Sequence, residues 1–256
     1  MQRHESVRIA APRPFTLATA LVIAGIAAGG TARADTPQGS DPWKVVFAPY
    51  VMGASIDGTT VVRGQEAAID LSASDIFDNL ELGFMSMLVV RKRDWGVTGD
   101  VVWVALGKTT DIPPADVDPT LGLLSVSGVR RLSDWADLTF GARWNRVEGS
   151  IHFKPPIDLD VERTRDWVDP IVGIVLRTPS GKKWHATLIA DVGGFGVGSD
   201  LSWQVFPSAG YDLSPKVSLE AGWRLLDVDY DSDDENDRFS YDVRYQGPVA
   251  GLAIRF

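Results

Sequence analysis

The sequence contains no cysteine and only three histidines among 256 residues. The absence of cysteine excludes disulfide bonds, zinc sites with thiolate ligands and a thiol nucleophile. The sequence also lacks long apolar runs: beyond residue 34 the longest covers about residues 82–90, and Gly83 and Ser86 interrupt it. A membrane-spanning helix needs about 20 mostly apolar residues, so none is predicted after residue 34.

Positive charge is scarce as well, since the net charge is −9. The first 34 residues carry a net positive charge, with four arginines and one glutamate. Without residues 1–34, Lys and Arg fall from 25 to 21 and Asp and Glu fall from 34 to 33, so the net charge becomes −12. Nucleic-acid binding needs a basic surface to neutralise phosphates, and we therefore expect no nucleic-acid partner.

The first 34 residues have the three-part layout of a secretory signal peptide. Three arginines precede an apolar stretch over residues 15–28, and Ala32 and Ala34 supply the small-x-small pattern of a cleavage site. The stretch is shorter than a membrane-spanning helix, and glycines follow it closely. The sequence therefore predicts export through a signal peptide, residues 1–34, that is cleaved after Ala34.

After a short extension over residues 35–42, the rest of the chain repeats one pattern. Residues 43–256 form segments of about 10 to 14 residues in which apolar and polar side chains alternate, as in transmembrane β-strands. In the segment from 167 to 178, the apolar face consists of Val168, Pro170, Val172, Ile174 and Leu176. The opposite face carries Asp169, Gly173 and Arg177. One face is predicted to contact lipid and the other to line a lumen.

The connections between these segments alternate between short and long. In outer-membrane barrels the short turns lie on the periplasmic side, so both ends of the mature chain are expected there. This rule predicts an all-β, antiparallel up-and-down transmembrane barrel of ten strands, with eight or twelve as alternatives. The predicted strands cover 43–55, 80–91, 95–107, 120–132, 136–150, 166–178, 183–194, 200–213, 216–230 and 240–256.

Residues 56–79 fit this pattern least well. We predict an outer loop that dips toward the lumen, although Thr59–Ala68 could instead form an extra strand. Ser72–Asp75 has the composition of a capped helical turn. A second acidic loop, residues 231–237, lacks the glycine and glutamate of a calcium-binding EF-hand loop and is predicted to be solvated.

The last strand carries the most specific local signal. Its alternating apolar row ends in Leu252, Ile254 and Phe256. Upstream, the apolar residues Tyr241, Val243 and Tyr245 have the opposite parity. We therefore predict a β-bulge at Gly247–Pro248 that resets the two faces of the strand.

On these features the chain resembles the small outer-membrane β-barrel proteins of proteobacteria. Trp167–Pro170 and the glycine-rich run Asp191–Gly198 look typical of an uncharacterised barrel family within that group, and the resemblance covers nearly all of residues 43–256. It implies that Leu252, Ile254 and Phe256 form the assembly signal read by the barrel-assembly machinery. It also implies outer-membrane lipid and lipopolysaccharide as surroundings, and it transfers no cofactor, metal or catalytic residue.

Charged residues of both signs occupy the predicted lumen face. A ten-stranded barrel is narrow enough for such side chains to fill. The polar network expected in the lumen comprises Glu81, Asp100, Arg143, Asp169, Arg177, Asp191, Glu220 and Arg224. The same face is expected to include Asp242 and Arg244. We predict a largely plugged lumen and a structural or surface role, and a narrow pore for ions or small solutes is the alternative.

A barrel hydrolase is the least favoured alternative, because such enzymes need a histidine next to an acid or a serine. His152 has Ser150 nearby, with Asp158 and Asp160 in the adjoining loop, and His185 lies beside a short turn. No Asp-x-His spacing of the omptin type occurs. We therefore predict that the protein is not an enzyme.

Overall fold

The structure is a computed structural model that describes residues 42–62, 65–111, 114–153, 159–179, 182–232 and 239–256. The predicted signal peptide with its cleavage residues Ala32 and Ala34, and most of the acidic loop over 231–237, lie outside these residues. The strands are β1 (Lys44–Met52), β2 (Ser55–Val62), β3 (Gln65–Leu71), β4 (Leu80–Lys92), β5 (Trp95–Leu106), β6 (Lys108–Asp111), β7 (Pro114–Arg131), β8 (Ala136–Phe153), β9 (Leu159–Arg177), β10 (Trp184–Gly194), β11 (Leu201–Asp212), β12 (Val217–Asp231) and β13 (Phe239–Arg255). One helix, α1, covers Ala73–Asp78.

Ten strands close into an antiparallel barrel. Their order is β1-β4-β5-β7-β8-β9-β10-β11-β12-β13, and β13 pairs back to β1. The predicted all-β class and the count of ten are confirmed. Closure removes the unpaired strand edges that lipid does not tolerate. Among the described residues, no helix is long and apolar enough to cross a membrane.

The alternation of the strands places apolar side chains outside and polar ones inside, as predicted for the segment after residue 167. Val168, Val172 and Ile174 are 41% to 50% exposed, whereas Asp169 is fully buried. At the end with the short turns, four tryptophans are each more than half exposed: Trp43, Trp95, Trp135 and Trp184. Exposed tryptophans at strand ends are typical of a membrane interface.

The opposite boundary of the lipid-facing surface is marked by charge. On β12, Trp223 and Leu225 belong to the outward-facing row, and Asp227 and Asp229 follow in the same row. Arg244 of the neighbouring strand pairs with Asp227 at 2.8 Å on the outside of the wall. Strands β7, β8 and β9 have 18 to 19 residues, more than the roughly 9 to 11 that cross a bilayer. They therefore extend beyond the lipid at the end with the long loops.

The predicted bulge at Gly247–Pro248 is wrong. The register between β12 and β13 is continuous from Val217 to Asp231, so the two faces of β13 are never exchanged. Tyr241, Val243 and Tyr245 point inward and are buried or half-buried, while Asp242 and Arg244, expected in the lumen, face outward. The irregularity lies in the neighbouring strand.

The neighbouring strand breaks opposite these two residues. Strand β1 ends at Met52 and continues as β2 from Ser55, and both pair with β13. Pro248 has no N–H to donate to the ladder, and only its carbonyl accepts, from the Gly53 N–H at 2.9 Å. A Cβ on Gly247 would lie 2.1 Å from the Gly53 carbonyl oxygen, so glycine is required for this close approach.

The segment 56–79 forms a β-hairpin rather than the predicted lumen-dipping loop. Strands β2 and β3 pair with each other, and β2 also pairs with the outer half of β13, so the hairpin extends the barrel wall. The pairing of β2 with both β3 and β13 satisfies the backbone hydrogen-bonding groups of β2. The predicted helical turn is present as α1, where Ser72 and Asp75 form a capping box. The side chain of Ile76 in α1 is buried among the apolar side chains inside the barrel.

Candidate functional site

A layer of polar side chains crosses the lumen. Each of its members is the sixth to ninth residue of its strand, counted from the end with the short turns, so they lie at one level. The layer, named here the polar layer, consists of Tyr50, Asp100, Ser125, Arg143, Asp191, Gln204 and Arg224. Seven of the ten barrel strands contribute one residue each.

Arg224 is the centre of one half of the polar layer. Its guanidinium donates to Asp100 Oδ2 at 2.6 Å, to the Tyr50 hydroxyl at 2.7 Å and to Gln204 Oε1 at 2.8 Å. The Tyr50 hydroxyl donates in turn to Asp100 Oδ1 at 2.7 Å. Strands β12 and β5 are separated by three strands on one side of the ring and five on the other. The Arg224–Asp100 ion pair therefore spans the lumen.

Arg143 holds the other half of the polar layer. Its guanidinium donates to Asp191 Oδ1 at 2.7 Å and to the Ser125 hydroxyl at 3.2 Å. Asp191 also accepts from the Gln204 side-chain amide at 3.0 Å, which links the two halves. The side chains of Arg143 and Arg224 are 1% and 3% exposed. Buried charges of this kind need paired counter-charges and hydrogen bonds. Both guanidiniums have a carboxylate partner, but Arg143 Nη1 is buried without a hydrogen-bond partner among the described residues.

Asp169 does not belong to the polar layer but fastens the loop after β10. Its fully buried carboxylate accepts from the Ser199 backbone N–H at 2.6 Å, the Ser199 hydroxyl at 3.0 Å and the Asn145 amide at 2.9 Å. Trp167 Nε1–H donates to the same hydroxyl at 2.8 Å. A Cβ on Gly198 would lie 2.6 Å from the Asp169 carboxylate. This contact explains why the Trp-Val-Asp-Pro segment and the glycine-rich run occur in one sequence.

On the side of the short turns, the polar layer borders a chamber of about 460 Å³, named here the inner chamber. Asp137 is fully buried there and forms ion pairs with Arg91 and Arg177. Glu220 Oε1 lies 2.9 Å from His185 Nε2 and accepts from the Ser218 hydroxyl at 2.6 Å. The inner chamber thus contains charged groups that are already paired with each other.

On the side of the long loops, the polar layer borders a smaller cavity of about 80 Å³, named here the outer cavity. Its lining is largely apolar and includes Ile56, Val102, Leu123, Trp167, Leu226 and Val228. These side chains belong to one buried cluster or pack directly against it. The lumen is therefore divided into a polar inner part and an apolar outer part.

The predicted network residues fall into four groups. Asp100, Arg143, Asp191 and Arg224 meet in the polar layer; Arg177 and Glu220 line the inner chamber; Asp169 fastens a loop. Glu81 lies at a register shift between Leu80 and Leu82, where it is exposed, so it takes no part in the lumen network. Sequence reasoning missed Tyr50, because its strand has no polar alternation, and Gln204, because only charged residues were chosen from its face.

One histidine lies next to an acid among the described side chains: Glu220 bonds to His185 in the inner chamber, at the end opposite the long loops. His152 pairs in the backbone register with Asp116 on one side and Asp160 on the other. No group of three or more His, Asp or Glu residues in the described ranges is arranged to hold a metal ion.

A closed antiparallel barrel with an apolar outer belt, an interfacial row of tryptophans and a polar layer across its lumen defines a transmembrane β-barrel of the outer-membrane class. No protein-family model and no curated protein matches the chain. Solved outer-membrane barrels are similar in architecture. The Yersinia pestis attachment invasion locus protein Ail, in complex with a heparin analogue, is 12% identical, with 84% of this chain and 99% of that chain covered, at a TM-score of 0.42.

Two further barrels are similar at the same level. The outer-membrane protease OmpT from Escherichia coli is 10% identical, with 87% of this chain and 99% of that chain covered, at a TM-score of 0.49. Neisserial surface protein A is 14% identical, with coverage of 84% and 100% and a TM-score of 0.34. These scores carry no argument about activity, which must rest on the chain's own residues.

Proposed function

We propose that the chain is an integral outer-membrane protein with a structural or surface role, whose lumen is closed to ions and solutes. The observation that carries this proposal is the polar layer. Arg224 and Asp100 are joined across the lumen at 2.6 Å, and every member is linked to the next by a hydrogen bond. A path for water through this level would require breaking a buried ion pair.

The two ends of the lumen support closure as well. The outer cavity offers hydrated ions a largely apolar lining, and its polar side chains already have protein partners. The inner chamber meets the polar layer from the other side. An ion entering the outer cavity would have to lose its hydration shell, and the described residues that line this cavity place no ring of fixed charges or carbonyls along it to compensate that loss.

The C-terminal row supports insertion from the periplasm. Leu252 is 38% and Phe256 75% exposed on the lipid-facing side, in the same outward row as Ile254, and the Phe256 N–H donates to the Val45 carbonyl at 2.9 Å. An exposed terminal aromatic that is anchored only by its backbone is available to the barrel-assembly machinery. Export through a cleaved signal peptide, contact with lipopolysaccharide and the absence of enzymatic activity belong to the same proposal.

Planar-bilayer recording tests the closed lumen. We expect the wild-type protein to show no stepwise conductance at either polarity, while heat-modifiable migration and protease resistance show that it is folded and inserted. The variant Arg224→Gly/Asp100→Gly removes the pair that spans the lumen and serves as the more open comparison. Reproducible conductance steps from the wild type would contradict the proposal and favour the narrow pore.

A further inference from the structure

The outer cavity is unusual in its chemistry for the lumen of a membrane barrel. Such lumens are generally polar, yet here the walls come from apolar residues on at least five strands and on α1. The side chains of Leu226, Val228, Tyr241 and Ile76 are each less than 8% exposed. The outer part of the barrel thus has an apolar core that leaves a space unfilled.

Water is a poor occupant of this space, because every polar side chain that lines it already has a protein partner. Asn145 donates to Asp169, and Arg224 donates to three acceptors in the polar layer. The remaining polar lining groups are paired as well: Arg146 with Glu148, and the hydroxyls of Tyr241 and Tyr245 with each other. A buried water needs two to four polar partners, and an empty apolar space loses dispersion contacts. A hydrocarbon group needs no polar partner and restores the dispersion contacts.

We propose that the outer cavity is a binding site for a short hydrocarbon group. At roughly 30 Å³ for a group the size of water, a space of about 80 Å³ accommodates about three such groups. The ligand is therefore a chain end of three to four carbons. The same chemistry is offered by a free small alkane and by the end of a lipid acyl chain.

Two adjacent positions on β5 provide a matched test. Val102 faces the outer cavity and pairs across the strands with Leu123, which also lines it. Val101 pairs with Leu124, which is 41% exposed on the lipid-facing surface. Val102→Phe fills the cavity, and Val101→Phe adds the same side chain outside it.

The probe is 1,1,1-trifluoropropane, observed by ¹⁹F NMR with the barrel in lipid nanodiscs. We expect a saturable bound resonance for the wild type and for Val101→Phe, and at least tenfold weaker binding for Val102→Phe. A signal that only grows linearly with probe, as in partitioning into lipid, and that is equal for both variants would overturn the proposal.

A second pair keeps the test valid if Val102→Phe does not fold. Leu123→Ala enlarges the cavity, so binding of the longer 1,1,1-trifluoropentane should strengthen relative to trifluoropropane, whereas Leu124→Ala should leave that ratio unchanged. An unchanged ratio in Leu123→Ala would contradict the proposal. Native mass spectrometry of the protein purified from membranes separates the sources: a retained lipid that trifluoropropane displaces identifies an acyl chain, and no retained lipid with saturable probe binding identifies a free small molecule.

Discussion

Replacing Arg224 by methionine should destabilise the barrel strongly. Methionine keeps the apolar stem but removes all three donors of the guanidinium, so the buried Asp100 carboxylate retains only the Tyr50 hydroxyl. Removing one partner of a buried ion pair typically costs about 3 to 5 kcal/mol. The Gln204 carbonyl also loses its donor. We therefore expect the free energy of unfolding to fall by about 4 kcal/mol.

Arg244→Met is the matched control for this substitution. Arg244 forms an ion pair of similar length with Asp227, 2.8 Å, but its side chain is 46% exposed on the outside of the wall. Exposed pairs contribute about 0 to 1 kcal/mol. The two variants thus remove the same group from a desolvated and a solvated setting.

The assay is equilibrium urea unfolding of the refolded barrel in detergent, followed by tryptophan fluorescence and by the gel shift between folded and unfolded forms. If Arg224→Met lowers the free energy of unfolding no more than Arg244→Met does, the polar layer is not a desolvated network. The double variant Arg224→Met/Asp100→Leu should recover at least half of the loss, because it removes the stranded carboxylate. A double variant no more stable than Arg224→Met would show that the unpaired Asp100 carboxylate is not the cause of the loss.

Three further outcomes are expected. Asp169→Ala should lower the free energy of unfolding by about 3 kcal/mol and speed hydrogen exchange around Ser199, measured by mass spectrometry, because three buried donors lose their acceptor. Gly247→Ala should cost about 1 to 3 kcal/mol in urea unfolding, whereas Gly99→Ala, whose Cβ meets nothing closer than 4.0 Å, should be tolerated. Hydrogen bonds from Ser72 lower the pKa of Asp75 below its usual 3.8, so its support for α1 is complete above that value and is lost as pH falls through the lowered pKa. The protection factors of the α1 amides, which correct for the intrinsic pH dependence of exchange, should fall there, and protection factors that stay equal from pH 7 down to about pH 2 would contradict this.

The barrel itself could be predicted from the sequence because the period of two is a local property. On β10, the alternation that begins at Trp184 and His185 assigns each residue to lipid or lumen without knowledge of its neighbours. The number of strands followed from turn chemistry. The pairing partners across the lumen could not be predicted in this way. Nothing in the sequence near Asp100 identifies Arg224, 124 residues away, as its counter-charge.

The hairpin β2–β3 was missed for a different reason. Alternation leaves Thr59–Ala68 open between an outer loop and an extra strand, and a strand pair would raise the predicted count to twelve. The structure adds the hairpin without changing the count of ten, because β1 and β2 together run beside the whole of β13. On the other side of these two strands, β4 pairs with β1 and β3 pairs with β2. Such an arrangement depends on strand length, which alternation alone does not determine.

The error on β13 shows how the barrel is built. Its inward row is apolar at Tyr241 and Val243 and ends at Arg255, whereas its outward row is charged at Asp242 and Arg244 and apolar from Ala250 onward. Both rows reverse polarity near Gly247–Pro248 with the register unchanged. In sequence, this reversal cannot be told from a one-residue shift.

Strand β12 reverses in the same way, which indicates a property of the whole wall. Its inward row changes from Glu220 and Arg224 to Leu226 and Val228, and its outward row becomes charged at Asp227. Between the short turns and this level, the wall has the pattern of a protein in lipid, with apolar side chains outside. Between this level and the long loops, it has the pattern of a protein in water, with an apolar core inside. The polar layer lies where the two patterns meet, so the outer cavity is the apolar interior of a water-exposed extension of the wall, in which β3 pairs only with β2 among the described strands.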